Sequence, residues 1–290
     1  MYTAKIENSR GEVLELTGRE DRWQVVSITG LNPPKATINI TNIAGMDGAR
    51  FNSAKLNVRN LVITLKLNST PGFDVEENRL TLYDFFRTKD DCVFYYANAT
   101  RNVKIEGYVE SVECDLFSSG EIMQISILCL YPYFRSVAEI IADISHEMAG
   151  FAFPFTINLN SPIAFSTYEA EKEVSLVNSA DVETGAIIQI DFLGAVSNVR
   201  IENTCTGEFM AVSGSYAECD RIVIDTNRGQ KKIALIRGGI ESNAFSQLAR
   251  GSAFFQLRPG ISTFTYSADD GESDADVFVT FAYSTLYRGC

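Results

Sequence analysis

The sequence predicts a mainly β protein with one or two short helices, divided into two domains near residue 150. Three observations carry that prediction. Apolar side chains recur on a two-residue period through most of the chain, the mark of strands with one buried face. The 19 Phe and 12 Tyr, against one Trp and one His, suit pleated, half-buried surfaces. A length of 290 residues fits two domains, and helical patterns stop near Gly150.

Along the chain, Ala36, Ile38 and Ile40 face one way and Thr37, Asn39 and Thr41 the other, a half-buried strand. Leu56 and Val58 keep one phase, then Leu61, Ile63, Leu65 and Leu67 the opposite one. A phase slip in one continuous strand predicts a β-bulge near Arg59-Asn60. Asp74 can cap a helix, with Glu77 as its capping-box partner. Leu82, Phe85 and Phe86 make its apolar stripe, and Arg87 and Lys89 put cations at the negative end of its dipole. Val103, Ile105 and Val109 form a strand that slips phase into Val112, Cys114 and Leu116, and Met123, Ile125, Ile127 and Cys129 form the next. Residues 136–149 predict a second helix: Ser136 and Glu139 box its start, Val137, Ile140, Ile141, Ile144 and Met148 share a face, and Gly150 ends it.

Beyond Gly150 the pattern is strands and turns. Ile188, Ile190 and Phe192 alternate, as do Ile222 and Ile224, Ile233 and Leu235, Phe264 and Tyr266, and Val277, Val279, Phe281 and Tyr283. Asn227-Arg228-Gly229, Gly238-Gly239, Pro259-Gly260 and Asp269-Asp270-Gly271 punctuate them. Residues 151–290 therefore predict a β-sandwich or jelly roll, and residues 1–150 a first domain.

Composition narrows the chemistry. A net charge of −12 without a basic patch argues against nucleic-acid binding. The start Tyr2-Thr3-Ala4-Lys5-Ile6-Glu7 lacks a signal-peptide core, and no apolar run is long enough to span a bilayer, so folding in a cytoplasm is expected. Cys92, Cys114, Cys129, Cys205, Cys219 and Cys290 lack C-x-x-C spacing and read as free thiols. The phosphate-loop, dinucleotide, nucleophile-elbow and H-E-x-x-H motifs are all missing, and His146, on the polar side of the second helix, cannot be placed in a triad. The acidic run Asp269–Asp276 could offer oxygen ligands to calcium but reads better as a solvated hairpin tip. No catalytic, cofactor or metal site is expected.

The first half also carries a series of short motifs in fixed order. Ile28-Thr29-Gly30-Leu31-Asn32-Pro33-Pro34 is followed by Ala44-Gly45-Met46-Asp47-Gly48-Ala49-Arg50-Phe51 and Arg59-Asn60-Leu61. Arg79-Leu80-Thr81-Leu82-Tyr83-Asp84-Phe85-Phe86 comes next, then Ile105-Glu106-Gly107-Tyr108-Val109-Glu110-Ser111 and Phe117-Ser118. Gln124-Ile125-Ser126-Ile127-Leu128-Cys129-Leu130-Tyr131-Pro132-Tyr133-Phe134 ends it, and Ile224-Asp225-Thr226 and Leu257-Arg258-Pro259-Gly260 extend it more weakly into the second half. In this order the motifs resemble the siphophage distal tail protein family. Physically, Gly45 and Gly48 suit a tight turn, and Gly107 within a strand suits a bulge or a close approach.

The resemblance implies a tail-tube-like first domain, with a curved β-sheet and one helix, that forms a hexameric ring. It implies a galectin-like sandwich at the ring's periphery, and as partners the tail tube protein, the tail-associated hub protein and receptor-binding parts. The implied place is the virion tail tip, after assembly in the host cytoplasm. A carbohydrate-binding adhesion module is the alternative, and a glycan-degrading enzyme the third reading. Arg50, Arg59 and Arg79 are candidates for contacts between subunits, with Asp47 as a possible partner; ordinary surface charge or turn stabilisation is the competing role.

Overall fold

The structure, a computed structural model, describes residues 2–17, 22–116, 120–144, 146–149, 166–169, 173–270 and 277–290. Its elements are β1 (Thr3–Asn8), β2 (Val13–Glu15), β3 (Trp23–Thr29), β4 (Ala36–Asn42), β5 (Ala49–Leu56), β6 (Arg59–Leu67), α1 (Val75–Phe85), β7 (Asp91–Ala97), β8 (Asn102–Cys114), β9 (Ile122–Cys129) and β10 (Phe134–Ser136). There follow β11 (Ile140–Asp143), β12 (His146–Ala149), β13 (Ser166–Glu169), β14 (Glu173–Asn178), β15 (Ile187–Phe192), β16 (Val196–Asn203) and β17 (Phe209–Tyr216). The rest are β18 (Arg221–Asp225), β19 (Lys232–Arg237), β20 (Ile240–Asn243), β21 (Gly260–Asp270), β22 (Val277–Tyr283) and β23 (Leu286–Tyr287). The chain divides into a first unit, Met1–Ala138 with Leu286–Cys290, and a second unit, Glu139–Thr285. The division falls between Ala138 and Glu139 rather than near residue 150, and residues 286–290 return to the first unit.

The first unit is built on a nine-stranded antiparallel sheet in the order β2-β1-β7-β8-β9-β6-β3, with β10 on β8 and β23 on β10. Its alternation works as the sequence predicts: Leu61, Ile63, Leu65 and Leu67 of β6 are buried, as are Val103, Ile105 and Val109 of β8. The second phase slip is a real bulge, between Val109 and Ser111 against β9. Gly107 marks a close approach, since a Cβ there would lie 2.7 Å from Ile127 Cγ2 and 3.0 Å from Cys129 Sγ. Asp74 caps α1 with Glu77 completing the box, and Leu82 and Phe86 seal the sheet's core. Arg87 and Lys89 lie past the last turn; Arg87 pairs with Asp84, and Lys89 takes a positive φ.

Two expectations are corrected here. Residues 55–67 are not one bulged strand: β5 ends at Leu56, β6 begins at Arg59, and the two lie in different sheets. The phase slip marks a change of partner, which alternation cannot distinguish from a bulge. The second helix, over 136–149, is instead strand: Ile140–Asp143 pairs with Val277–Tyr283, Ile140 facing Tyr283. Ser136 Oγ donates to the Ala138 carbonyl rather than capping. The β-branched pair Ile140-Ile141 prefers the pleat, and a distant strand supplies the partner that local pattern cannot show.

The second unit holds a β11-β22-β15-β18-β19-β20 sheet and a β14-β21-β16-β17 sheet, with β12 and β13 paired separately. Ile188, Ile190, Ile224 and Phe281 from one sheet and Ile201, Met210 and Phe264 from the other share one core, so this is a sandwich. Phe264 and Phe281 meet across it at 5.1 Å, and Phe192 stacks on Tyr216 at 4.5 Å. Asp269 accepts from Asn198 Nδ2 at 2.9 Å; the remainder of the acidic run, from Gly271 on, lies outside the described residues, as do Phe117, Ser118, Gly150 and the His146 side chain. β21 and β22 belong to different sheets and do not pair as a hairpin.

Candidate functional site

The first unit leaves one element without a core. Among the described residues β4 and β5 pair only with each other, as a two-stranded sheet joined by the turn Ile43–Gly48. Gly45 and Gly48 both take positive φ in that turn, as their spacing predicts. β1, β6 and β7 bury alternate residues; in this arm none is buried.

The register sorts its side chains onto two faces. Ala36 lies opposite Leu56, Ile38 opposite Ala54, and, past a bulge at Asn39/Ile40, Ile40 opposite Phe51. Directly opposed residues share a face, so Ala36, Ile38, Ile40, Phe51, Ala54 and Leu56 form one apolar side. Ile38, Ile40 and Phe51 are 59%, 56% and 63% exposed. The other side is polar and bonded to itself: Thr37 Oγ1 donates to Asn57 Oδ1 at 2.7 Å, Asn39 Nδ2 to Ser53 Oγ at 2.9 Å, and Asn52 Nδ2 to Thr41 Oγ1 at 2.7 Å.

An isolated hairpin is marginally stable in water. Covering each exposed Ile or Phe is worth about 1.5–3 kcal/mol. A contiguous apolar face of this kind marks a surface made for another chain.

The arm's root is fixed by Arg59, the first residue of β6 and only 3% exposed. Its Nε donates to the Pro132 carbonyl at 2.9 Å, Nη1 to those of Asn32 (2.7 Å) and Gly30, and Nη2 to that of Arg288 at 2.5 Å. The guanidinium lies 4.6 Å from the centre of the Phe134 ring. Burial lowers its pKa from the ordinary arginine value. Gly30 takes φ +88, and a Cβ there would fall 2.3 Å from the Asn60 carbonyl oxygen, so only glycine lets β3 run this close to β6.

The four charges proposed for subunit contacts are thus separated. Asp47 is exposed in the arm's turn and Arg50 on its polar face, opposite Thr41. Arg59 is enclosed at the root with its donors held by its own chain, so it has no free face to offer a neighbour. Arg79, on α1, pairs with Glu121 at 3.1 Å and Glu76 at 3.5 Å. The apolar face went unrecognised as a surface because its alternation is that of any half-buried strand. The readable signal was that both strands of one hairpin carry it.

Among the described residues no cluster of His, Cys, Asp or Glu is placed to hold a metal, and no helix is long and apolar enough to cross a membrane. All six cysteines are free; burial pushes the Cys92, Cys129 and Cys290 thiols up to about 12.

Comparison with known proteins follows this geometry. Residues 179–287 match the family described as siphovirus-type tail component, C-terminal domain. Among solved structures, the chain superposes on the Dit protein (gp 19.1) of phage SPP1, described as a paradigm of the hub adsorption apparatus in phages infecting Gram-positive hosts. The TM-score is 0.68, at 14% identity and 98% coverage of each chain. Chains of the phage P2 baseplate in its activated conformation, with Ca and with Sr, each superpose with a TM-score of 0.53 at 12% identity, over 98% of both chains. No curated protein sequence matches. The chain therefore has the fold of the SPP1 Dit protein, and its residues 179–287 are similar to the C-terminal domain of the siphovirus-type tail component.

Proposed function

We propose that this chain is a non-catalytic structural component of a siphophage-type tail tip, in which the first unit closes into a sixfold ring between the tail tube and the baseplate hub. The galectin-like second unit carries receptor-binding or other baseplate parts. The observation that carries this reading is the β4–β5 arm of the first unit: an amphipathic hairpin that buries none of its own residues. A ring requires a heterologous contact that closes on itself. An arm from one copy laid on the sheet of the next supplies such a contact while covering the apolar face. Asp47 and Arg50, at the arm's turn and on its polar side, remain candidates for the rim of that contact. The fold shared with an SPP1 hub protein and with baseplate chains supports the same reading.

The competing reading, a sugar-binding module, would use an exposed aromatic platform. The sole Trp, Trp23, lies in the first unit and is 4% exposed. Mass photometry and electron microscopy of purified protein test the proposal. The expected particle is a ring of about six copies of the 32.1 kDa chain, alone or on adding the tube or hub protein. A persistent monomer that binds glycans overturns it.

A further inference from the structure

We propose that residues 288–290 form a clasp on the root of the β4–β5 arm, and that the arm is set for assembly only while this clasp is closed. This rests on the assembly role given to the arm above. β23 joins the first unit's sheet by pairing Phe134 with Tyr287 and Arg135 with Leu286, and the Leu286 side chain is buried. The next three residues do not continue a strand. They fasten instead to both ends of the arm: the Cys290 N–H donates to the Leu31 carbonyl at 3.0 Å where the chain enters it, and the Arg288 carbonyl accepts from Arg59 where the chain leaves it, while the Gly289 carbonyl accepts from Arg101 beside β8. Arg101 also stacks over Tyr287 at 4.6 Å, and Cys290 packs against the core cluster of this unit.

The fit is close enough to need glycine. A Cβ on Gly289 would lie 3.0 Å from the Leu31 carbonyl oxygen and 3.1 Å from the nitrogen and Cδ of Pro33. The segment so gripped, Gly30 to Lys35, is a natural joint: Gly30 sits at positive φ, and Pro33-Pro34 stiffens the lead into β4. Arg59 spans the joint, because the same guanidinium holds Gly30 and Asn32 on one side and Arg288 on the other. Removing the clasp takes one of Arg59's acceptors and the bond to Leu31, and leaves the arm tied to the sheet through fewer contacts. The clasp residues follow the whole second unit in sequence. A chain that ends before residue 288 therefore carries an unfastened arm, and assembly is restricted to chains made at least that far.

The test uses the full chain with Gly289→Val and, separately, deletion of 288–290. Hydrogen exchange reads the root at residues 30–35 and 57–60, thiol labelling reads Cys290, and particle mass reads assembly. Cys290 is half-buried, and burial pushes its thiol up to about 12, so in the parent it labels more slowly than the exposed Cys205 and Cys219. The expected result is root exchange, and Cys290 labelling in Gly289→Val, faster by about tenfold, with loss of rings and unchanged exchange in 173–270. Root exchange at the parent rate in both variants overturns the clasp while leaving the ring reading intact. So do rings that still form with the root opened. If the root opens in both variants but even the parent never self-associates, the fastening stands and the ring reading fails.

Discussion

Replacing Ile38 and Phe51 together by Asp is expected to abolish self-assembly while leaving the isolated chain folded. Both side chains are more than half exposed and touch no core, so the monomer loses little. In an assembly that covers the arm, each substitution removes about 1.5–3 kcal/mol of burial and also requires a carboxylate to leave water, which is costly without a partner. The combined loss of at least about 3 kcal/mol per contact weakens association by more than about a hundredfold, and in a closed ring the loss recurs at every contact. Particle mass against concentration reads this, with circular dichroism and the melting curve as the check on folding. Substituting Thr37 and Asn39, on the opposite face, should have much less effect. A double variant that still forms rings at the parent's concentration would remove the apolar face from the assembly.

Arg59→Met is the substitution expected to cost the most stability. Methionine fills the space but leaves the carbonyls of Gly30, Asn32, Pro132 and Arg288 without their donor in an enclosed site. Hydrogen bonds from a charged donor are individually worth about 1.5–3 kcal/mol, and some of the orphaned carbonyls can find water, so a net loss of about 4 kcal/mol is expected. It should fall on the first unit, leaving the sandwich core of the second to melt as in the parent. Arg59→Lys should recover only part, since one ammonium cannot reproduce the planar fork. Calorimetry with hydrogen exchange resolved by unit checks this. Parent-like melting of Arg59→Met would return Arg59 to the surface role that its charge first suggested.

Much of the fold was legible because sheets write themselves on a period of two. β6, β9, β15, β18, β21 and β22 each bury the residues that their alternation marks, β8 does so up to Val109 while Val112 and Cys114 are only half-buried and Leu116 is exposed, and the Asp74–Glu77 box located α1. What failed was information about partners. Residues 55–67 look like one strand because alternation reports a buried face without saying which sheet buries it. Residues 136–149 carry helical spacing, yet Ile140–Asp143 is claimed by a strand well over a hundred residues away. Arg59 illustrates the same limit at the site. An arginine beside a polar asparagine reads as surface, and only the fold shows carbonyls from three separate segments converging on it. Residues 288–290 offered no signal, because Arg-Gly-Cys has neither period nor turn chemistry. β4 was read correctly as a strand but β5 was not, since its end was joined to the strand placed at 55–67, and the apolar face of β4 was assigned to a core that the described residues do not supply.

The most direct test of the account is hydrogen exchange across residues 36–56, compared between the dissociated chain and the assembled particle. An uncovered two-stranded arm exchanges quickly; covered by a neighbour, its amides should be protected strongly and together, more than any other exposed segment of the first unit. Rings in which residues 36–56 exchange as fast as in the free chain, while protection develops elsewhere, would contradict it.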